Sequence, residues 1–214
     1  MPKFANKIIK ILIASDFILN LGWGLVSPIF AIFIVENITS RGPLEAAKIA
    51  GFAALFYWIT KSILQVPIGR YLDKNHGEKD DFWFMVIGTF LAAFVPIGYL
   101  FSSLPWHIYL LQILHAVGMS MAFPSWLAIF TRHIDKGKEA FEWSMESTFL
   151  SAGAGIAGGL GGILAAVFGF KTIFVIVSTL NVISAIFLIF VKKDISLRDK
   201  DSIRAVPVRP FVEP

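Results

Sequence analysis

The sequence predicts an all-α membrane protein of six transmembrane helices with both termini in the cytoplasm. Three observations carry that prediction: an excess of apolar residues, their gathering into six runs of membrane-spanning length, and a one-sided distribution of Lys and Arg between those runs. Of 214 residues, 56% are hydrophobic and only 16% are charged. The mean hydropathy of +0.71 lies far from the averages of soluble domains. The chain has no cysteine, so disulfides and thiolate metal sites are excluded. Its net charge of +4 sits between apolar runs, as membrane topology requires, so nucleic acid is not an expected partner. No metal or other cofactor is expected, and the first partner is the lipid bilayer.

A hydrocarbon core of about 30 Å needs about 20 apolar residues per helix. Runs of that length, bounded by charge, Pro or Gly, fall near 8–35, 46–72, 82–101, 106–131, 141–168 and 171–191. Together they make one transmembrane domain over 1–191. The first run follows Lys3, Lys7 and Lys10, yet Asp16 and Asn20 interrupt it and it continues past Val35, which argues against a cleaved signal peptide. With six spans, the amino end, the second and fourth connections and the tail share one side. That side holds 15 of the 19 Lys and Arg residues, and the positive-inside rule makes it cytoplasmic. A multi-pass protein of the plasma membrane is expected. The stretch 192–214, with Pro207, Pro210 and Pro214 among charges, has no apolar face to bury and reads as a flexible cytoplasmic tail.

Polar side chains within spans are the informative ones, because an Asp, Lys or Arg at a helix centre costs about 2.5 to 3.5 kcal/mol on insertion scales. On the first span Asp16, Asn20, Trp23 and Ser27 recur at helical spacing on one face. Trp58, Lys61 and Gln65 do so on the second; Gln112, His115, Met119, Ala122 and Trp126 on the fourth. The fifth opens with Glu142 and Glu146 one turn apart. The third and sixth spans carry few polar groups and read as lipid-facing supports. This arrangement suggests a water-filled cavity lined by Asp16, Asn20, Trp23, Lys61, Gln65, Gln112, His115 and Trp126. Asp16 and Lys61 both lie at depths within the core, which suggests an ion pair or an alternating partnership in which substrate or protons intervene. Their burial cost favours function over simple helix fastening; Asn20 and Gln65 are equally well read as fasteners. Proton coupling, as in symport, would run through Asp16 or Glu146.

The fifth span also carries SAGAGIAGGLGG, 151–162. Gly155 and Gly159 lie on one small-residue face, Gly158 and Gly162 on another. Such faces either pack within the bundle or meet another subunit. Pro28, Pro67, Pro96 and Pro124 fall inside spans and mark bends.

Between the second and third spans, GRYLDKNHGEK, 69–79, resembles the cytoplasmic signature of the major facilitator superfamily. Gly69, Arg70, Asp73 and Lys74 are the part assigned to gating, and Gly77 comes one position late. QILHAVGMSMAFP, 112–124, is similar to the family's fourth-helix pattern through Gly118 and Pro124, with Gln112 where Arg is usual. The glycine-rich stretch resembles the family's antiporter signature, with Gly158 in place of Pro. The resemblance implies a major-facilitator-like half bundle, one of two six-helix halves related by an axis along the membrane normal. It further implies that a parallel homodimer restores the pair, with the second and fifth spans at the contact and Asp73 of one subunit near Lys138 of the other.

The expected function is secondary transport by alternating access, and no enzyme motif is present. Amides beside tryptophans favour a sugar or other small polar solute, whereas Asp16, Glu142 and Glu146 point to a cationic one; the first is preferred. A non-transporting scaffold, or one half of a hetero-oligomeric transporter, is the alternative.

Overall fold

The computed structural model describes residues 5–74 and 78–195, and these form a helical bundle. Helix α1, Lys7–Val26, begins where Asn6 caps it, its side chain accepting the Ile9 N–H at 3.0 Å. It stops one residue before Ser27–Pro28, and α2, Phe30–Asn37, resumes the climb. Pro28 has no N–H to offer the preceding turn, so the first span, predicted as one helix over 8–35, is two helices joined at residues 27–29. Helix α3, Pro43–Lys74, starts with Pro at its first position and runs unbroken through Pro67. Helix α4, Glu78–Leu100, opens with three acidic residues, and α5, Pro105–His133, closes with Arg132 and His133. Both arrangements complement the helix dipole.

The last element, α6, covers Glu139–Ile189, 51 residues. At 1.5 Å per residue it would be about 77 Å long, more than twice the hydrocarbon thickness. Gly169, at φ +75° and ψ 163°, breaks it into two segments. That backbone region is open essentially to glycine alone. Among the described residues five helices are long and apolar enough to cross a membrane; the turn at Gly169 makes the last of them two, giving six crossings.

Close packing depends on small residues, because lipid tails give apolar helix faces no reason to associate. Gly88 of α4 lies against Gly118 of α5: a Cβ on Gly118 would sit 2.7 Å from the Gly88 carbonyl oxygen. Helix α1 meets α6 through Gly24 against Ala157 and Gly161 against the Leu25 backbone. Ser15 and Ser184 lock the same pair of elements. Each hydroxyl donates to the other's carbonyl, at 3.0 and 2.8 Å. Two apolar cores result. One gathers Phe33, Tyr99 and Phe174, and the other Met85, Ile129, Phe130 and Leu188.

The structure corrects the expected supports and the start of the tail, and it separates the two open readings of the glycines. The third and sixth spans are not mere supports: α4 is half buried, and Ser178, Asn181 and Ser184 of the sixth are buried. Of the five long helices, α3 is the most exposed. Gly155, Gly158, Gly159 and Gly162 face open space, so packing within the bundle falls to Gly153, Ala157 and Gly161 instead. Residues 192–195 form a helical turn that packs Ile195 into the core, and Lys7 pairs with Asp194 at 2.9 Å. The rest of the expected tail, 196–214, lies outside the described residues.

Candidate functional site

A cavity of about 780 Å³ is lined by side chains from all six helices. Helical spacing brings the side chains to it: Asp16, Asn20 and Trp23 stand on one face of α1, and His115 and Trp126 on one face of α5. Of the eight expected substrate contacts, seven line it: Asp16, Asn20, Trp23, Lys61, Gln112, His115 and Trp126. Gln65 does not. Glu146, expected for proton coupling, is also in the wall, whereas Glu142 is buried below it and accepts from the Asp135 N–H at 3.1 Å.

Aromatic rings shape the cavity. Trp23 of α1 stacks on His115 of α5, centroids 3.9 Å apart and planes within 13°. Tyr57 of α3 closes on the same imidazole at 4.8 Å. On another wall Trp126 stacks on Phe130 at 4.7 Å and lies 6.4 Å from Trp143. The indole N–H groups of Trp23 and Trp126 are buried and have no protein acceptor among the described residues. Two of the amides already have partners. Asn20 donates to the Asp16 carbonyl at 2.9 Å, and Gln112 donates to the Tyr99 hydroxyl at 3.0 Å.

The expected Asp16–Lys61 ion pair does not form. The Lys61 ammonium instead sits 4.7 Å from the Phe123 ring centroid, 5.3 Å from Trp58 and 5.8 Å from Tyr57. Asp16 and Glu146 line the same cavity as Lys61. Depth alone put Asp16 and Lys61 together; the azimuth of each helix separates them, with α1 packed on α6 and α3 packed on α5. Sequence reasoning missed Tyr57 and Phe123. Tyr57 could have been found, since it precedes Lys61 by one helical turn.

A second polar cluster ties the bundle together at the end where α1 begins. Arg132 pairs with Asp81, which is fully buried. Asn6 donates to the His133 carbonyl at 2.6 Å and to the Asp135 carboxylate at 3.1 Å. Lys138 reaches the same carboxylate at 3.3 Å. The Asn6 hydrogen bond first, and Lys138 after it, hold the Asp135 carboxyl below its ordinary value. The signature residues Gly69, Arg70, Asp73 and Lys74 occupy the last two turns of α3, and its late Gly77 lies outside the described residues.

The family model of the Major Facilitator Superfamily matches residues 12–213. The multi-drug resistance efflux pump PmrA of Streptococcus pneumoniae is 28% identical over 198 residues, covering 91% of this chain and 47% of the pump. An uncharacterized MFS-type transporter of Methanocaldococcus jannaschii is 26% identical over 186 residues, covering 87% of this chain and 45% of that protein. The chain thus spans about half the length of the curated relatives it matches.

Proposed function

Since the chain belongs to the Major Facilitator Superfamily, a family of transporters and not enzymes, and is a multi-pass protein of the cell membrane, we propose that it forms one wall of an alternating-access carrier for small amphipathic solutes. The observation that carries this reading is the cavity, where polar side chains from α1, α3, α5 and α6 converge in a bundle otherwise built of apolar packing. Aromatic rings dominate the cavity, and two of its amides already hold protein partners. A flat or partly apolar solute therefore finds more support than a sugar, although the sugar reading rested on those same amides. The streptococcal relative, named as a multi-drug resistance efflux pump, points in the same direction.

The cavity needs a second wall. Trp58, 60% exposed, stands at its edge on α3, and α3 and the first segment of α6 present Ile59, Ile63, Ile156 and Ile163 outward. The four open glycines of α6 lie on that outer surface, where small residues suit a close helix contact better than a lipid one. A second six-helix unit in the same orientation completes the cavity, and a second copy of this chain supplies it. The positive-inside distribution supports cytoplasmic termini for both copies.

Single cysteines test the carrier reading, and the cysteine-free sequence provides the background. Asn20→Cys and Gln112→Cys should react with a membrane-impermeant maleimide added from either side, as the cavity opens alternately. A scaffold without an aqueous cavity would leave both unlabelled.

A further inference from the structure

Helix α1 packs on α6, and α3 packs on α5. Three rings link the two pairs at the cavity: Trp23 of α1, His115 of α5 and Tyr57 of α3, all of them in its lining. The two contacts of the central imidazole are unlike. Trp23 lies flat on it, with centroids 3.9 Å apart and planes within 13°, and so takes one face completely. Tyr57 meets the imidazole at 4.8 Å with its plane turned by 42°, which is a wedge and not a stack. Aromatic rings gain most from offset-stacked or edge-to-face contact, and a 42° wedge is neither.

The imidazole is a costly choice for packing alone. His115 is 9% exposed, and neither ring nitrogen has a hydrogen-bond partner among the described residues. A buried polar group without a partner lowers stability where an apolar side chain of similar size would not. Tyr57, for its part, is held by little besides ring contacts. Its hydroxyl has no hydrogen-bond partner among the described residues, and it stands on α3, the most exposed of the five long helices. One ring of the three is therefore backed and fixed, and another is free to give way.

We propose that the face of His115 left by Trp23 is a stacking subsite for a planar aromatic or heteroaromatic ring of the solute, which takes the place of Tyr57 when it binds. Trp23 holds the imidazole from behind, and the imidazole nitrogens give the cavity a polar edge for groups carried on the ring. A saturated ring is puckered, cannot lie flat on the imidazole and gains no stacking there. All three side chains come from one chain, so a pair of copies carries two such subsites. This assignment rests on the carrier reading above and refines its solute class.

Selection by planarity does not depend on charge, so neutral probes test it: 2-naphthamide and its decahydro counterpart, which share the amide and the ring skeleton and differ in flatness. Calorimetric binding to the full chain in nanodiscs, with empty nanodiscs subtracted, should be about fivefold tighter for the aromatic amide. His115→Leu should bring that ratio to about one, whereas His115→Phe, which keeps a flat ring, should preserve it. Tyr57→Leu should also preserve it, because the displaced ring is not the stacking partner. Equal binding of the two amides by the parent chain, binding of neither, or loss of the preference in Tyr57→Leu would overturn the subsite. Labelled cysteines at Asn20 and Gln112 would leave the carrier reading standing in each of those cases, so the two failures are distinguishable.

Discussion

Asp81 is fully buried, and the only ion-pair partner of its carboxylate among the described residues is Arg132, itself 40% exposed. Removing one member of a buried pair strands the other's charge, which costs about 3–5 kcal/mol when both are deeply buried. With one partner partly in water, Arg132→Met should destabilise the bundle by about 2 kcal/mol. Adding Asp81→Asn should recover part of that loss, and thermal unfolding of the three variants in nanodiscs checks the cycle. Asp135 gives the pH dependence. Its folded value lies below the ordinary 3.8 because Asn6 and Lys138 favour the carboxylate, so its contribution is complete above that value and lost as pH falls through the folded one. The Tm gap between the parent chain and Asp135→Asn should be small at neutral pH and should close below about pH 4. At this scale the sequence was informative about which residues are costly to bury and uninformative about their pairing. Asp16 and Lys61 stand at similar depths, but partner choice depends on helix rotation, which one-dimensional spacing does not encode.

The two departures from simple spans, at Pro28 and Gly169, have different legibility at the level of elements. Pro28 was visible as a bend, because a missing N–H acts locally. Gly169 was visible only as the boundary between two apolar runs; its positive φ depends on the turn that joins them. Gly169→Ala should therefore cost about 1–3 kcal/mol through backbone strain alone, measurable as a lower Tm with unchanged helix content. The glycines of α6 separate into two classes. A side chain at Gly161 would press on the Leu25 backbone, whereas one at Gly159 meets open space. Gly161→Leu should destabilise the single bundle by about 1–3 kcal/mol. Gly159→Leu should leave that stability unchanged and weaken only association between copies, a difference that unfolding and sedimentation measured on the same two variants would read separately. The sequence showed two small-residue faces on this segment but not which one α1 would cover, because that depends on where Gly24 and Leu25 lie in the folded bundle.

The number of crossings, the helical class and most of the cavity wall were legible because the bilayer restricts spanning structure so severely. The relative exposure of the helices was not, since a helix apolar on all sides looks the same whether it faces lipid, a neighbour or a second subunit. The whole-molecule account turns on that exposed surface: α3 and the first segment of α6 present uncovered apolar side chains beside the cavity. The most direct test is the mass of the protein in nanodiscs by light scattering, with the lipid and scaffold contributions removed. The account predicts a homogeneous species of twice the 23.7 kDa of the chain, reduced to the single chain by Gly159→Leu. A parent chain that stays a monomer across lipid compositions would contradict pairing between copies.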